Sequence, residues 1–215
     1  MKAVVFLNGE YSYEEGFIQN MVDEDDIIFC ADGGADYAFR YKVEPDYIIG
    51  DMDSVSADIL DFYKERGINI ERYSPEKDYT DFELILQRIG DYEKGKGISF
   101  DGIYVFGGLG KRTDMTLNNL HLLEKYTRLV FFSGDEEIFY RDEAFSLKGR
   151  EGYGFSIIPL SEKIEELSLE GFKDELENTD VERKSSRLVS NVVTSGESKV
   201  EFGQGKLLVI LKKGE

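Results

Sequence analysis

The pattern of apolar and polar positions changes at about residue 134 of the 215-residue chain. Before that point, short apolar runs such as AVVFL (3–7), DIIFC (26–30) and DYIIG (46–50) alternate with stretches in which apolar residues recur at helical spacing. Short apolar runs are typical of buried strands, and their regular alternation with helices is typical of a parallel sheet covered by helices. The pattern therefore predicts an α/β N-terminal domain with a mainly parallel sheet.

The clearest helical stretch lies between residues 80 and 90. Thr80 and Glu83 have the spacing of a capping box, in which two side chains satisfy free N–H groups at the start of a helix. The apolar residues at i, i+3, i+4 and i+7, which would form one buried face, are Phe82, Ile85, Leu86 and Ile89. A second stripe predicts another helix after residue 113 and consists of Leu117, Leu120 and Leu123.

The C-terminal part contains short strand-like runs and no long helical stripe. Turn signals such as KGREG and GQGK separate the runs, which are EEIFYR, AFSLKG, GYGFSIIPL, IEELSLEG, RLVSNVV, SKVEFG and KLLVILKK. Many short strands with frequent turns predict an all-β sandwich domain. We therefore expect two domains, residues 1–134 and residues 135–215.

The charge and the cysteine content narrow the possible partners and compartments. With 26 basic and 44 acidic residues, the net charge is −18, so the surface repels phosphate backbones and nucleic acid is not an expected partner. Cys30 is the only cysteine, which excludes an internal disulfide and fits a reducing compartment. The first apolar run is too short for a secretion signal, and no segment is long enough to span a bilayer. We expect a cytoplasmic protein that does not bind membranes.

Acids, bases and glycines follow four of the predicted strands. Ligands of open α/β sheets bind beyond the carboxyl ends of the strands, so we expect these groups to meet along one edge of the sheet. The four groups are Asp32, Gly33 and Gly34; Asp51, Asp53 and Ser54; Lys77, Asp78, Thr80 and Asp81; and Gly107, Gly108, Gly110, Lys111, Arg112 and Asp114.

Each group also has a purely structural interpretation. Gly33 and Gly34 fit an ordinary turn before a helix, and Lys111 and Arg112 fit a solvated surface. The aspartates of the second and third groups are harder to explain in this way, because neighbouring carboxylates repel one another. A divalent cation removes the repulsion, and hard carboxylate oxygens suit Mg²⁺, which also bridges to phosphates. Together with a basic, glycine-rich loop before a helix, the acids predict metal-assisted phosphoryl-type transfer.

The motifs, taken in their order, resemble the thiamine pyrophosphokinase (thiamine diphosphokinase) family. The pieces that carry the resemblance span nearly the whole chain: ADGGA, GDMDS, EKDYTDFE, GGLGKRTD followed by NN, GF at 171, SN at 190 and a terminal GKLLVI. One piece alone would be a weak signal, whereas the ordered set is specific.

The resemblance implies a reaction and an assembly. It implies transfer of a pyrophosphoryl group from ATP to the hydroxyl of thiamine, which gives thiamine diphosphate and AMP, with Mg²⁺ as cofactor. It implies that residues 1–134 form an ATP-binding catalytic domain and that residues 135–215 form a thiamine-binding β-sandwich. It also implies a homodimer whose active sites lie between the subunits.

The resemblance further implies roles for individual residues. Metal binding and catalysis fall to Asp51, Asp53 and Asp81. Nucleotide binding falls to Asp32, Gly33, Gly34, Lys111, Arg112 and Asp114. Substrate binding falls to Asp78, Thr80, Ser190 and Asn191. An aromatic residue often stands in the family where this chain has Asp174.

Two other classes of function fit individual motifs. Asp-x-Asp also occurs in other Mg²⁺-dependent nucleotide hydrolases and transferases, which would consume a nucleotide without needing thiamine. A non-catalytic regulator that binds nucleotide or thiamine could dispense with the acids, all of which are present here.

Overall fold

The computed structural model describes residues 1–214 and divides them into two compact units. The first unit consists of Met1–Asn119 and Phe132–Gly134, and the second consists of Leu120–Phe131 and the residues from Asp135 onward. The division runs through helix α5 (Thr113–Lys125) and strand β6 (Leu129–Ser133). The chain therefore passes between the units more than once.

The first unit contains five parallel strands in the order β5-β1-β2-β3-β4. Their bounds are β1 Ala3–Phe6, β2 Ile27–Ala31, β3 Tyr47–Gly50, β4 Asn69–Arg72 and β5 Ile103–Phe106. Strands β1, β2 and β3 come from the predicted runs AVVFL, DIIFC and DYIIG, and β4 and β5 come from the further short apolar runs GINIER (67–72) and GIYVF (102–106). The predicted parallel α/β sheet is therefore confirmed. Strand β1 lies between β2 and β5, where the order of the strands reverses, and ligand crevices of such sheets form at this point.

Helices connect the strands of the first unit, and they are α1 Phe17–Met21, α2 Gly34–Arg40, α3 Ala57–Glu65 and α4 Asp81–Lys96. The predicted capping box is present at the start of α4, where Thr80 and Glu83 exchange side-chain and backbone hydrogen bonds. The predicted apolar face of α4 is buried, as is the single cysteine in β2. Within residues 1–214, none of the helices combines the length and the apolarity that crossing a bilayer requires.

Helix α5 forms, but the predicted apolar stripe is partly wrong. Leu117 remains 55% exposed, whereas Asn119, Leu122 and Leu123 are buried. These three residues are spaced i, i+3 and i+4, so they share one face, and Leu117 lies on the opposite side of the helix. Asn119 is polar and nevertheless points into the protein, because its side chain donates a hydrogen bond to the carbonyl of Gly108 at 2.6 Å.

The second unit is built from two antiparallel sheets around one apolar core. One layer consists of four strands of the larger sheet in the order β12-β9-β14-β7, with β7 Glu136–Arg141, β9 Gly154–Pro159, β12 Asn191–Val192 and β14 Leu207–Lys212. The other has the order β11-β10-β13-β8, with β8 Phe145–Lys148, β10 Lys163–Glu170, β11 Leu176–Glu182 and β13 Glu197–Glu201. Core side chains such as Phe155, Val209, Leu167 and Val200 come from both sheets. The predicted β-sandwich is therefore confirmed.

Two details of the second unit differ from the predicted pattern. Strand β11 was not predicted, because its sequence LENTDVE is acidic and Val181 is its one fully buried residue. It lies at the edge of its sheet and pairs with β10 in an irregular register. The predicted strand RLVSNVV shrinks to Asn191–Val192, since Ser190 takes a left-handed conformation with φ 64°.

Replacing Thr80 with alanine is expected to lower the free energy of unfolding by about 1 kcal/mol, the usual contribution of such a cap. The reason is that the Thr80 hydroxyl accepts a hydrogen bond from the N–H of Glu83 at 3.2 Å, and alanine offers no acceptor. Urea unfolding measures the effect, with the exposed Thr194→Ala as the matched control. Equal stability of the two variants would contradict the capping role.

Candidate active site

A cavity of about 370 Å³ opens at the carboxyl ends of the strands in the first unit. Of the residues predicted to form the site, those that line it are Asp32, Asp51, Asp53, Ser54, Thr80, Asp81, Gly107, Gly108, Gly110, Lys111 and Arg112. Asp78, in the loop before α4, and Asp114, in the first turn of α5, are exposed and do not line the cavity. Ser190 and Asn191 belong to the second unit. The structure thus brings together acids and bases that lie up to 80 positions apart in the sequence.

Three aspartates form an acidic cluster at one side of the cavity. Carboxylate oxygens of Asp32, Asp51 and Asp53 lie within 4.8 Å of one another. Asp32 is buried, and its carboxylate accepts hydrogen bonds from the N–H groups of Ser54 and Val55, each at 3.0 Å. Asp32, in the turn between β2 and α2, thereby fixes the loop that carries the other two acids.

The surroundings of Asp32 and Asp53 shift the pKa values of these two acids in opposite directions. Burial raises the pKa of Asp32, although the two N–H groups oppose the shift. The pKa of Asp53 is lowered, first by a hydrogen bond from the Ser54 hydroxyl at 2.8 Å and then by a hydrogen bond shared with Asp32. Of Asp32 and Asp53, Asp53 is therefore the acid that ionises more readily. A cluster of hard, charged oxygens is the donor set that Mg²⁺ prefers.

Gly50 allows the acids to approach one another. A Cβ atom at this position would lie 3.0 Å from Cβ of Asp32 and 3.3 Å from the carboxylate carbon of Asp81. The backbone of Gly50 also has φ 154°, which other residues adopt rarely. The glycine of the GDMDS motif is therefore required by the close packing of the carboxylates around it.

Asp81 lines the cavity as predicted, and it has a partner that the sequence did not indicate. Its carboxylate accepts a hydrogen bond from the ammonium group of Lys77, four residues earlier. The two side chains are 26% and 17% exposed, respectively, so the ion pair is largely shielded from solvent. Three acids of the cavity are thus clustered, and the fourth is held by a lysine.

The basic loop after β5 occupies the other side of the cavity. The ammonium of Lys111 donates hydrogen bonds to Asn8 Oδ1 at 3.0 Å and to the Tyr37 hydroxyl at 2.7 Å. Arg112 pairs with Asp114 at 2.6 Å, and both side chains are about two-thirds exposed. This pairing lowers the pKa of Asp114. Both cations are exposed enough to meet an anion in the cavity.

Hydrogen bonds from α5 hold the backbone of this loop. Asn119 donates to the carbonyl of Gly108 at 2.6 Å, and the hydroxyl of Thr116 accepts from the N–H of Gly110 at 3.1 Å. Lys111 itself takes a left-handed conformation with φ 52°. The loop is therefore a fixed structure that presents Lys111 and Arg112, rather than a solvated turn.

Asn8 and Gly9, which line the cavity after β1, were missed in the sequence. The Asn-Gly pair that ends the first apolar run was the available signal, since such a pair is typical of a turn. The position is informative because β1 is the strand at which the sheet order reverses. Asn8 also contacts Lys111, so it helps to position the basic loop.

Gly33 and Gly34 have a packing role in the structure. A Cβ atom on Gly34 would lie 2.1 Å from the carbonyl oxygen of Phe6, so only glycine lets α2 begin this close to β1. Neither glycine is among the residues that line the cavity. Their predicted part in nucleotide binding remains a prediction.

The two residues predicted in the second unit lie at the short strand β12. The Asn191 side chain is buried and accepts hydrogen bonds from the N–H groups of Asp174 and Val192 at 3.0 and 2.8 Å. Its amide also donates to the carbonyl of Asp174 at 2.8 Å. Asn191 thus fixes the loop of Asp174, whereas Ser190 and Asp174 are exposed and accessible to a ligand.

Two family models match the chain. Residues 18–131 match the thiamin pyrophosphokinase catalytic domain, and residues 142–207 match the thiamin pyrophosphokinase vitamin B1 binding domain. Thiamine pyrophosphokinase 1 of Arabidopsis thaliana is 30% identical over 203 residues, which cover 84% of this chain and 76% of the relative. Thiamine pyrophosphokinase of Bacillus subtilis is 28% identical over 87% of this chain and 88% of the relative.

Solved structures share the fold. The crystal structure of thiamine pyrophosphokinase from Bacillus subtilis superposes with a TM-score of 0.85 at 23% identity, and it covers 100% of both chains. The thiamin pyrophosphokinase from Geobacillus thermodenitrificans superposes with a TM-score of 0.84 at 24% identity, over 99% of this chain and 97% of the other. Both units are therefore present in these structures.

Proposed function

We infer the function of this chain from its family: the chain belongs to the thiamine pyrophosphokinases. It transfers a pyrophosphoryl group from ATP to the hydroxyl of thiamine, and the products are thiamine diphosphate and AMP. In the site itself, one observation supports this reaction, namely that clustered aspartates and a basic loop line the same cavity. An acidic side suits a metal ion and a basic side suits phosphates, which is the combination that a metal–nucleotide complex requires.

We propose Mg²⁺ as the metal of the acidic side. The donor set fits, because three carboxylates place oxygens within 4.8 Å of one another and Mg²⁺ binds such oxygens. In this proposal Asp51 and Asp53 are ligands, and Asp32 and Asp81 line the same cavity and complete the set. When bound, Mg²⁺ supplies positive charge that stabilises the phosphate oxygens during transfer.

The basic loop binds the phosphates in this proposal. Lys111 is held by Asn8 and Tyr37, so its ammonium is oriented before a nucleotide arrives. Arg112 can exchange Asp114 for a phosphate, because an exposed ion pair contributes little stability. The two cations would neutralise the charge that builds on the phosphate oxygens.

The chemical step needs an acceptor for one proton. The hydroxyl oxygen of thiamine attacks the β-phosphorus in line, the new O–P bond forms, and the bond from that phosphorus to the departing AMP breaks. We propose that the Asp81 carboxylate takes the hydroxyl proton, since Asp81 lines the cavity at the start of α4. Asp78 and Thr80, in the same segment, are the proposed substrate contacts of the first unit.

We propose that residues 1–134 form the ATP-binding catalytic domain and that residues 135–215 form the thiamine-binding domain. The two family matches support this division of roles. We assign Ser190 and Asn191 of the second unit to thiamine binding, together with the exposed Asp174, whose loop Asn191 holds by hydrogen bonds. We further propose a homodimer with active sites at the subunit interface.

We propose the cytoplasm as the compartment, because Cys30 is free and buried.

We expect the purified protein to form AMP and thiamine diphosphate only when thiamine, ATP and Mg²⁺ are all present. A coupled assay for AMP, with separation of thiamine diphosphate by chromatography, measures this reaction. Each omission is a control, and omission of thiamine separates the proposed transferase from a nucleotide hydrolase. Folded protein that releases AMP without thiamine, or that makes no thiamine diphosphate, would contradict the proposal.

A further inference from the structure

Lys77 is a cation that is paired with Asp81, an acid that lines the cavity, although Lys77 itself is not among the lining residues. Its ammonium is hydrogen-bonded to the carboxylate of Asp81, and its side chain is 17% exposed. Lysine side chains are rarely this shielded unless they are paired with an acid. Lys77 therefore has a defined place beside the proposed metal site.

The two cations that do line the cavity, Lys111 and Arg112, are held differently. Lys111 contacts neutral oxygens of Asn8 and Tyr37, and Arg112 pairs with Asp114, which does not line the cavity. Lys77, by contrast, is paired with an acid that does line it.

A carboxylate oxygen that binds an ammonium closely is a poor ligand for a divalent cation, since the two positive charges would repel each other at short range. Binding of a metal at Asp81 therefore requires Lys77 to leave. Lys77 lies in the segment before α4 that is neither helix nor strand, and lysine has a flexible stem with three donors. Asp81 stays stabilised without Lys77, because it lies at the first residue of α4, where the helix dipole favours negative charge.

We propose that Lys77 is an exchangeable counterion of the active site. In the protein without metal it neutralises Asp81, and when metal and nucleotide bind it releases Asp81 and contacts a phosphate oxygen of the nucleotide. This inference rests on the proposed function, since it assigns Lys77 to the same metal–nucleotide site. It makes Lys77 a competitor of the metal before the nucleotide arrives and a phosphate ligand afterwards.

The first test measures metal binding without nucleotide, with Mn²⁺ as the probe and electron paramagnetic resonance as the readout. We expect Lys77→Met to bind Mn²⁺ about threefold to tenfold more tightly than the wild type, because the competing charge is gone. Lys77→Arg keeps the charge and should bind Mn²⁺ like the wild type. The matched control is Lys64→Met, which removes a lysine from an exposed pair with Asp61 on helix α3. Unchanged or weaker Mn²⁺ binding by Lys77→Met would overturn the proposal.

The second test uses thermal unfolding and turnover. In EDTA, Lys77→Met should melt below the wild type, and saturating Mg²⁺ should raise its melting temperature more than that of the wild type. In the AMP assay its kcat/KM for the magnesium–ATP complex should fall at least about tenfold, since a phosphate contact is lost. A smaller Mg²⁺ effect on melting, or unchanged kcat/KM, would overturn the exchange. Thiamine-dependent turnover by the wild type in the same assay tests the family reaction separately.

Discussion

Asp51→Asn and Asp53→Asn are each expected to lower kcat by at least about a thousandfold, the scale on which loss of charge stabilisation slows such reactions. Each change leaves the size of the side chain nearly unchanged and removes one negative charge from the cluster with Asp32. A neutral amide is a weaker ligand for Mg²⁺ than a carboxylate, so the phosphates lose most of the positive charge that transfer requires. The thiamine-dependent AMP assay measures kcat, and circular dichroism verifies that the variants are folded.

The matched control is Asp58→Asn, which makes the same chemical change on helix α3, outside the residues that line the cavity. It should keep nearly full activity. Mn²⁺ binding provides a second readout, since both cluster variants should bind Mn²⁺ more weakly whether or not they turn over. Near-normal turnover in both cluster variants would show that these two acids do not hold the metal.

Asp32→Ala is expected to have the second largest effect, because it changes both stability and activity. The variant leaves two N–H groups, those of Ser54 and Val55, without the carboxylate that accepts them at 3.0 Å. Loss of a buried acceptor for two donors costs roughly 2–4 kcal/mol, or a fall of roughly 5–10 °C in the melting temperature. Because the same loop carries Asp51 and Asp53, we also expect kcat to fall at least about a hundredfold.

Asp36→Ala is the control for this prediction. Asp36 also holds the loop, through the N–H and the hydroxyl of Ser56 at 3.0 and 2.6 Å, but it is not part of the acidic cluster. Its removal should destabilise the protein less and leave most of the activity. If the two variants lost the same activity, the role of Asp32 would be general support of the loop rather than positioning of the acids.

Two signals agreed at the strands β2, β3 and β5, so the sequence predicted both these strands and the polar groups that follow them. A short apolar run gave the strand, and a glycine with an acid or base gave its carboxyl end, as in the stretch from Ile48 to Asp53. The positions of Asp51, Asp53, Lys111 and Arg112 in one cavity followed from the rule that ligands meet parallel sheets at this edge.

The place of Asp32 in the acidic cluster could not be read from the sequence. It depends on β2 and β3 being neighbours in a register that pairs Ala31 with Ile49, which sets Asp32 beside Gly50. The order of strands in a sheet is a property of the whole chain, and local patterns do not contain it. The resemblance assigned Asp32 to the nucleotide, whereas the structure places its carboxylate beside those of Asp51 and Asp53.

The ion pair of Lys77 and the edge strand β11 were missed for different reasons. Lys77 precedes the helix, so its four-residue spacing from Asp81 does not follow from helical geometry, and the loop conformation alone brings the two together. Strand β11 has little apolar alternation, because an edge strand with one buried residue gains most of its stability from backbone pairing. Both features depend on backbone geometry that side-chain patterns do not record.

The hydrogen bonds around the loop from Asp51 to Ser56 have a consequence for selectivity between ligands. Three successive N–H groups of this loop, at Ser54, Val55 and Ser56, already donate to carboxylates of the protein. Phosphate-binding loops of other proteins offer such groups to the nucleotide, and here they are occupied. In the proposed site, side-chain cations and Mg²⁺ hold the anion instead, so free nucleotide and its magnesium complex would be chemically different ligands. Their discrimination rests on charge, and it weakens as the ionic strength of the solution rises.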